Sequence, residues 1–487
     1  MSTPSDRLPT DVAGLPEARA PELVDLADSQ RYDLRIAPVA KRIGDVTVRM
    51  LAYNGSIPGP ILRVQEGAEV VVDIENQGDM DGTVHWHGLR LENRYDGTHE
   101  TQPPIAVGGR FSARIAFPDP GVYWYHPHIR EDYGQEMGLY GNVLVEPADP
   151  DYWPPAHREL PLTLDDLLLE DGKVAPFSRT ETTYAAMGRY GDVLLVNGET
   201  DLALGAKLGE VLRFHLTNTA NTRVFQVALP GARMKVVGGD SGHVEREQFV
   251  EEVILAPSER LVIDVLFDRP GALTLDHRTP ARTDPLAVIR VSDERAEPSL
   301  ETQFEALRTN ADMIAERERS ARFVDAEPDK TLAFIAEMDN TCAGHEGHTH
   351  STADGIEWED EMADVNRITT PANMRWKIVD RETGAENTAI DWRFRVGDRV
   401  KIRLLNEMAG DHPMQHPFHV HGAGRFLILS RDGVAEPNLV WKDTVLVRTG
   451  ETVDILLDVT NVGRWMAHCH IAEHHESGMM FSFQVDE

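Results

Sequence analysis

One segment of this chain is written three times. Gly67-Ala-Glu-Val-Val-Val-Asp-Ile-Glu-Asn76, Gly209-Glu-Val-Leu-Arg-Phe-His-Leu-Thr-Asn218 and Gly397-Asp-Arg-Val-Lys-Ile-Arg-Leu-Leu-Asn406 each open on glycine and close on asparagine. Between those ends, apolar and β-branched residues recur with a period of two, the pattern of a half-buried strand. A second element recurs at matching places: Gly121-Val-Tyr-Trp-Tyr-His126, Gly271-Ala-Leu-Thr-Leu-Asp276 and Gly463-Arg-Trp-Met-Ala-His468, each a glycine turn running into a short strand. Self-similarity at this long spacing predicts three related domains, and short strands between Pro/Gly turns predict β-sandwiches. The 487 residues suffice for about three domains of ordinary size. The boundaries expected are an N-terminal extension over 1–29, domains at 30–150, 151–298 and 325–487, and a linker at 299–324 that reads as helical and charged.

The first and third copies carry chemistry that the second lacks. Four His-x-His pairs stand in them: His85-Trp-His87, His126-Pro-His128, His419-Val-His421 and His468-Cys-His470. Residues i and i+2 of a strand face the same side, so each pair aims two imidazoles at one point. Eight imidazoles on four strands can hold several metal ions. The second copy has Asp276-His-Arg278 at one equivalent place and Phe225-Gln-Val-Ala-Leu-Pro-Gly231 near the other, so the middle domain is expected to be metal-free. The paired histidines of domains 1 and 3 must then meet at an interface, with the middle domain as the spacer.

Cys469, inside the last pair, points to the opposite face. The run His468-Cys-His470-Ile-Ala-Glu-His474-His-Glu-Ser-Gly-Met479 offers a thiolate, imidazoles and a thioether. Structural zinc prefers CxxC clusters, which are absent. A Cys, two His and a weak axial Met are the ligands of a blue-copper electron-transfer centre. Cys469, His474 and Met479 supply three of them, and His416 in His416-Pro-Phe-His419 is the candidate fourth. His468 and His470 are joined to Cys469 through the backbone, a covalent route for an electron to metals held by those histidines.

These motifs resemble the signature of the multicopper oxidases, the laccase-like family of three cupredoxin domains, from about residue 30 to the C-terminus. Gly55-Ser-Ile-Pro-Gly-Pro60, Asp96-Gly97 with Thr101-Gln-Pro103, and Leu195-Val-Asn-Gly198 belong to the resemblance. In style it is nearest to bacterial three-domain laccases and copper-efflux oxidases. It implies a mainly β chain of three cupredoxin-like Greek-key β-sandwich domains. It further implies four copper ions: type 1 on His416, Cys469 and His474 with Met479 axial; type 2 on His85 and His419; one type 3 on His87, His126 and His470; the other on His128, His421 and His468. Asp96 matches the position of an acid that lies near the cluster in the family, and it also reads as a turn residue before Gly97. Bacterial relatives often place Glu directly after the type 1 histidine. Here His475 stands there and Glu476 follows.

The implied activity is one-electron oxidation of phenols or aromatic amines at the type 1 copper, coupled to four-electron reduction of dioxygen to water. The second reading replaces the organic donor with Cu(I), Mn(II) or Fe(II). A copper nitrite reductase lacks the full set of pairs, and a non-enzymatic copper-storage or scaffold protein is disfavoured by the complete ligand set. The net charge of −33 disfavours nucleic acid and anionic lipid as partners. No apolar run is long enough to span a membrane. The N-terminus shows no apolar signal segment, so the sequence as given reads as cytoplasmic, or as secreted or periplasmic if a targeting segment precedes it. His99, His157, His215, His243, His277, His345, His348, His350, His412 and His475 read singly as ordinary residues. Residues 342–364, with Cys342, three of those histidines and the acidic run Glu357-Trp-Glu-Asp-Glu361, read as an exposed acidic loop; in the family, insertions at this point can cover the copper edge.

Overall fold

The computed structural model describes residues 7–338, 354–407 and 414–487. The three copies of the Gly-to-Asn segment are the strands Glu69–Asn76, Val211–Asn218 and Arg399–Asn406. Each has a parallel neighbour on one side and an antiparallel one on the other: Arg31–Ile43 and Arg110–Ala116 for the first, Arg158–Leu167 and Arg260–Leu266 for the second, Lys330–Met338 and Thr452–Val459 for the third. The closing asparagine does the same work each time. Its amide donates to two buried carbonyls: Met80 and Ile105 from Asn76, Arg223 and Leu255 from Asn218, Met414 and Val447 from Asn406. These bonds tie off the sheet end where the loops would leave unpaired backbone oxygens.

Each such sheet has a five-stranded partner, and apolar side chains from both fill the space between. Three large cores result, one around Leu34, Val70 and Trp86, one around Leu162, Phe214 and Ile289, one around Trp376, Phe418 and Trp465. The fold is mainly β and cupredoxin-like. The second recurring element is also a strand in every copy, Gly121–His126, Gly271–Arg278 and Gly463–Cys469. It pairs antiparallel with His85–His87, Phe225–Ala228 and His416–Val420 respectively. The two His-x-His pairs of one copy therefore lie side by side: His85 opposite His126, and His419 opposite His468.

The helical reading of 300–323 resolves into two helices, Glu301–Glu305 and Ala311–Val324. Met313 of the second is buried with Leu427, Leu439 and Trp441, so this segment packs onto the C-terminal sheets. No helix among the described residues is long and apolar enough to cross a membrane.

The segment 342–364 departs in part from the exposed loop expected. Cys342, His345, His348 and His350 lie outside the described residues, as does His412. From Asp354 onward the segment is not simply exposed: Ile356, Glu357 and Trp358 are buried. Ile356 and Trp358 share a small core with Val224, Ala256 and Leu446. Burial of those two apolar side chains outweighs the solvation of Glu357 between them. Glu359 pairs with Arg223 and Arg282, and Asp360 accepts from the Asn366 amide.

Asn218→Ala should destabilise the protein by about 1–3 kcal/mol, because two buried carbonyls lose their donor. A lowered urea midpoint for unfolding of the middle sheets would show it; an unchanged midpoint would mean that water or neighbouring donors replace the amide.

Candidate metal centre

Four short strands bring eight imidazoles together. Each is at most 2 % exposed. His87, His126 and His470 form one triangle, with ring centroids 5.6, 5.0 and 5.0 Å apart. His128, His421 and His468 form another, at 4.8, 5.0 and 5.1 Å. His85 and His419 stand 5.8 Å apart. His85 lies over His421 at 4.1 Å, and His419 stacks on His87 at 3.8 Å. Histidines of the N-terminal and C-terminal sheets thus interleave.

Hydrogen bonds decide which nitrogen of each ring is left to act. A carbonyl oxygen only accepts, so a ring nitrogen facing one carries the proton. Nδ1 of His85 donates to the Asp96 carbonyl at 2.6 Å, Nδ1 of His126 to Pro127 at 2.9 Å, Nδ1 of His419 to Asp443 at 2.9 Å and Nδ1 of His468 to Cys469 at 2.8 Å. Nδ1 of His421 meets the Asp96 carboxylate at 2.8 Å. His87 is reversed: its Nε2 faces the Asp443 carboxylate at 2.9 Å. The other nitrogens of His85, His87, His126 and His419 are buried and have no hydrogen-bond partner.

These atoms fit metal ions. A buried lone pair without a donor is costly. The clearest case is His421 and His468, whose Nε2 atoms face each other at 3.0 Å. Both rings have committed their proton to Nδ1, so two lone pairs point together, and a shared cation relieves the repulsion. Burial, then the mutual charge of the rings, holds His87, His126, His128, His419 and His468 well below the usual imidazole range. His421 is lowered to about 4 for the same first reason. Neutral imidazole is the form that binds metal.

The second centre lies on the other face of the strand Gly463–Cys469. The buried Sγ of Cys469 is 3.4 Å from His416 Nδ1 and 3.7 Å from His474 Nδ1. His474 uses Nε2 to donate to the Ala186 carbonyl at 3.3 Å and stacks on Trp376. Met479 is fully buried in the same core; its N–H donates to His474, and its carbonyl accepts from Cys469. Burial pushes the Cys469 thiol far up, so a thiolate here needs a cation beside it. One sulfur and two nitrogens within 4.8 Å of one another suit a soft metal such as copper.

Asp96 touches the cluster twice, through its carbonyl to His85 and its carboxylate to His421. It also sits in a turn: Gly97 has φ +85°, and a Cβ there would meet the Val84 carbonyl at 2.0 Å, so only glycine lets the turn press against the His85 strand.

Sequence reasoning missed three groups. Asp443 and Thr444 bridge His87 and His419. Glu131 opens the helix Glu131–Glu136 directly after the second pair. Both its carboxylate oxygens lack a hydrogen bond, although His475, His126 and His470 lie 3.1, 3.2 and 3.5 Å away. His475 is not an ordinary residue but is buried against His128 and His468, with ring centroids 4.8 and 4.5 Å apart. The helix Ala472–Glu476 explains it: neighbours on a helix diverge by about 100°, so His474 turns to Cys469 and His475 to the imidazole cluster.

Residues 38–150 match one family described as multicopper oxidase, and residues 358–487 match a second of the same description. Among relatives, the multicopper oxidase MmcO of Mycobacterium tuberculosis is 28% identical over 471 residues, spanning 91% of this chain and 84% of that one. The multicopper oxidase mco of Staphylococcus aureus is 26% identical over 446 residues, 89% of this chain and 83% of that one. The crystal structure of a multi-copper oxidase from Pseudomonas thermotolerans superposes with a TM-score of 0.70 at 26% identity, covering 95% of this chain and 100% of that one.

Protonation should oppose folding here. Unfolded histidines take up protons near pH 6.5, and His87, His126, His128, His419, His421 and His468, held below that range by burial, do not, so the unfolded state gains protons first as pH falls. The stability that neutral imidazoles supply is full above pH 6.5 and is lost below it. The melting temperature of metal-free protein should drop steadily from pH 7 to pH 5, and the drop should shrink in His87→Ala. A flat profile would contradict the buried, neutral cluster.

Proposed function

This chain belongs to the multicopper oxidase family, and it is thus a copper-dependent oxidoreductase that uses dioxygen; on that premise we propose that it is laccase-like, taking single electrons from phenols or aromatic amines. The observation that carries this reading is the complete pair of centres, one around Cys469 and one of eight imidazoles, joined by the His468-Cys469-His470 backbone. We assign four copper ions. His416, Cys469, His474 and Met479 would hold type 1, His85 and His419 type 2, and the triangles His87/His126/His470 and His128/His421/His468 the type 3 pair. Bound copper supplies one-electron oxidation at the thiolate centre and four-electron reduction of dioxygen at the cluster.

The protein's residues do the rest. Burial of every ring keeps bulk water from the cluster. Backbone carbonyls hold the Nδ1 protons of His85, His126, His419 and His468 and so aim their Nε2 inward. Reduction of dioxygen to two waters consumes four protons. Asp96 Oδ2, bonded to His421, and the Glu131 carboxylate, beside His475, are two of the acids close enough to hold one.

The donor reading rests on the 354–364 segment. Two of its acids are engaged, Glu359 with two arginines and Asp360 with Asn366, which leaves these two poorly suited to capture a metal cation. The metallo-oxidase reading, with Cu(I), Mn(II) or Fe(II) as donor, draws on one opposing feature: the fully buried His474 ring has its outer nitrogen capped by the Ala186 carbonyl, so no bulky donor touches it. Oxygen uptake by copper-loaded protein across substituted phenols, aromatic amines and the three ions decides between them by kcat/KM. Uptake with none would sink the oxidase reading.

Cys469→Ser should abolish the visible thiolate-to-copper absorption and nearly all turnover, yet keep copper on the untouched imidazoles. A coloured, active variant would refute the ligand assignment. Asp96→Asn keeps an oxygen for His421 Nδ1–H but cannot take up and release a proton at working pH. Reduction by donor should be unchanged and reoxidation by dioxygen slower, most at high pH, in stopped-flow traces. Unchanged reoxidation would leave Asp96 a turn and orienting residue only.

A further inference from the structure

The middle sheets send one charged side chain into the cluster's surroundings. Arg260 opens the strand Arg260–Leu266 and is fully buried. Its Nη1 donates to Asp443 Oδ1 at 2.7 Å, and its Nη2 donates to Oδ2 of the same carboxylate. The remaining contacts hold the fork still: Nε donates to the Val122 carbonyl at 2.9 Å and Nη1 to Ser258 at 2.9 Å. Asp443 Oδ1 in turn faces His87 Nε2 at 2.9 Å, and Thr444 Oγ lies 2.9 Å from Oδ1 and 3.1 Å from the same Nε2.

A second buried carboxylate, Asp240, pins the other side. It accepts the backbone N–H of Arg260 at 2.8 Å and those of Asp443 and Thr444 at 3.3 and 3.4 Å, and it pairs with Lys442 at 3.2 Å. The packing allows no slack. Gly88, next to His87, has φ +83°, and a Cβ on it would meet Asp443 Oδ2 at 2.4 Å and Arg260 Nη2 at 2.7 Å.

We propose that Arg260 is a positioning residue for the copper cluster: it fixes Asp443 so that the carboxylate takes the Nε2 proton of His87 and leaves Nδ1 as the metal-binding nitrogen. Among the rings whose tautomer the hydrogen bonds set, His87 is the one reversed, and it is the one held by this pair. An imidazole free to choose its tautomer would present the proton to the metal part of the time, and a metal loses altogether the ligand of a ring that swings away. A carboxylate without its arginine is a buried unpaired charge, which rotates or draws in water. The middle sheets, expected from the sequence to be a spacer, act on this reading as part of the site. The inference rests on the copper assignment above, whose failure would appear in the wild type as well as in the variants.

The test compares Arg260→Met with Arg213→Met. Arg213 forms a similar buried fork with Asp264 in the same sheets, at 2.8 and 3.0 Å, away from the cluster. Arg260→Met should keep the visible thiolate–copper band and its reduction by donor. Copper retained at the imidazole cluster against a competing chelator should fall about tenfold or more in affinity, as for other outer partners of ligand histidines. Arg260→Lys, which keeps the charge without the fork, should recover part of the loss. Arg213→Met should lower the melting temperature and leave copper affinity unchanged. If Arg260→Met does not fold, Arg260→Lys carries the same comparison, with wild-type copper affinity overturning the proposal. Equal loss of cluster copper in the Arg213 and Arg260 variants, or loss of the visible band together with the cluster copper, would also overturn it.

Discussion

Eight buried imidazoles cannot rest together in a dry interior without something to accept their lone pairs. The His421 and His468 nitrogens at 3.0 Å, each without a proton, state that constraint most sharply. The apolar cores of the three sheet pairs can form separately, but this cluster cannot: half of its rings stand on strands near residue 100 and half on strands near the C-terminus. The free energy of metal binding therefore becomes interface energy. The same burial that makes the rings poor bases makes them good ligands, because imidazole that is neutral at pH 7 does not have to shed a proton to coordinate.

Polar groups around the rings convert a set of histidines into a site with fixed geometry. Backbone carbonyls at Asp96, Pro127, Asp443 and Cys469 each take an Nδ1 proton, and all come from loops or strand ends beside the cluster. These oxygens cannot be mutated away, which makes them durable orienting groups. Side chains set the tautomer of His421, through Asp96, and of His87, through Asp443 with Thr444, and the Thr444 hydroxyl also lies 3.1 Å from His419 Nδ1. These are the places where substitution can alter the cluster while its ligands stay intact.

How much of this was legible follows from the range of each signal. Strand period two places the His-x-His pairs, the Cys469 reversal and the Gly-to-Asn strands, because all of these are set within ten residues. The family resemblance supplied Asp96 and the grouping of ligands. The partners of His87 were out of reach: Asp443 lies 356 residues further along, and Arg260 lies 183 residues before Asp443. No local period encodes such a pairing. Glu131 carried a weak signal, an acid three residues after His128, but a six-residue helix leaves little trace in a pattern. His475 reads in the sequence as a lone histidine, because only the short helix Ala472–Glu476 turns it away from His474 and toward the cluster. The acidic run was read by charge alone, while Ile356 and Trp358 inside it marked a segment that packs.

The coupling between the two centres is a consequence of pleating. Along His468-Cys469-His470 the first and third side chains face the imidazole cluster, and the middle one faces His416 and His474. No conformational change can bring the thiolate and these imidazoles into one site, since period two keeps them on opposite faces while the backbone keeps them covalently adjacent. The electron acceptor and electron donor sides are thus separated from each other's small molecules yet joined by bonds. The register is held by Phe418 opposite Cys469 and His419 opposite His468 on the neighbouring strand. A one-residue slip there would exchange the faces, pointing sulfur at the cluster and two histidines at Trp376. Both centres therefore depend on the same pairing, and neither can be repaired without disturbing the other.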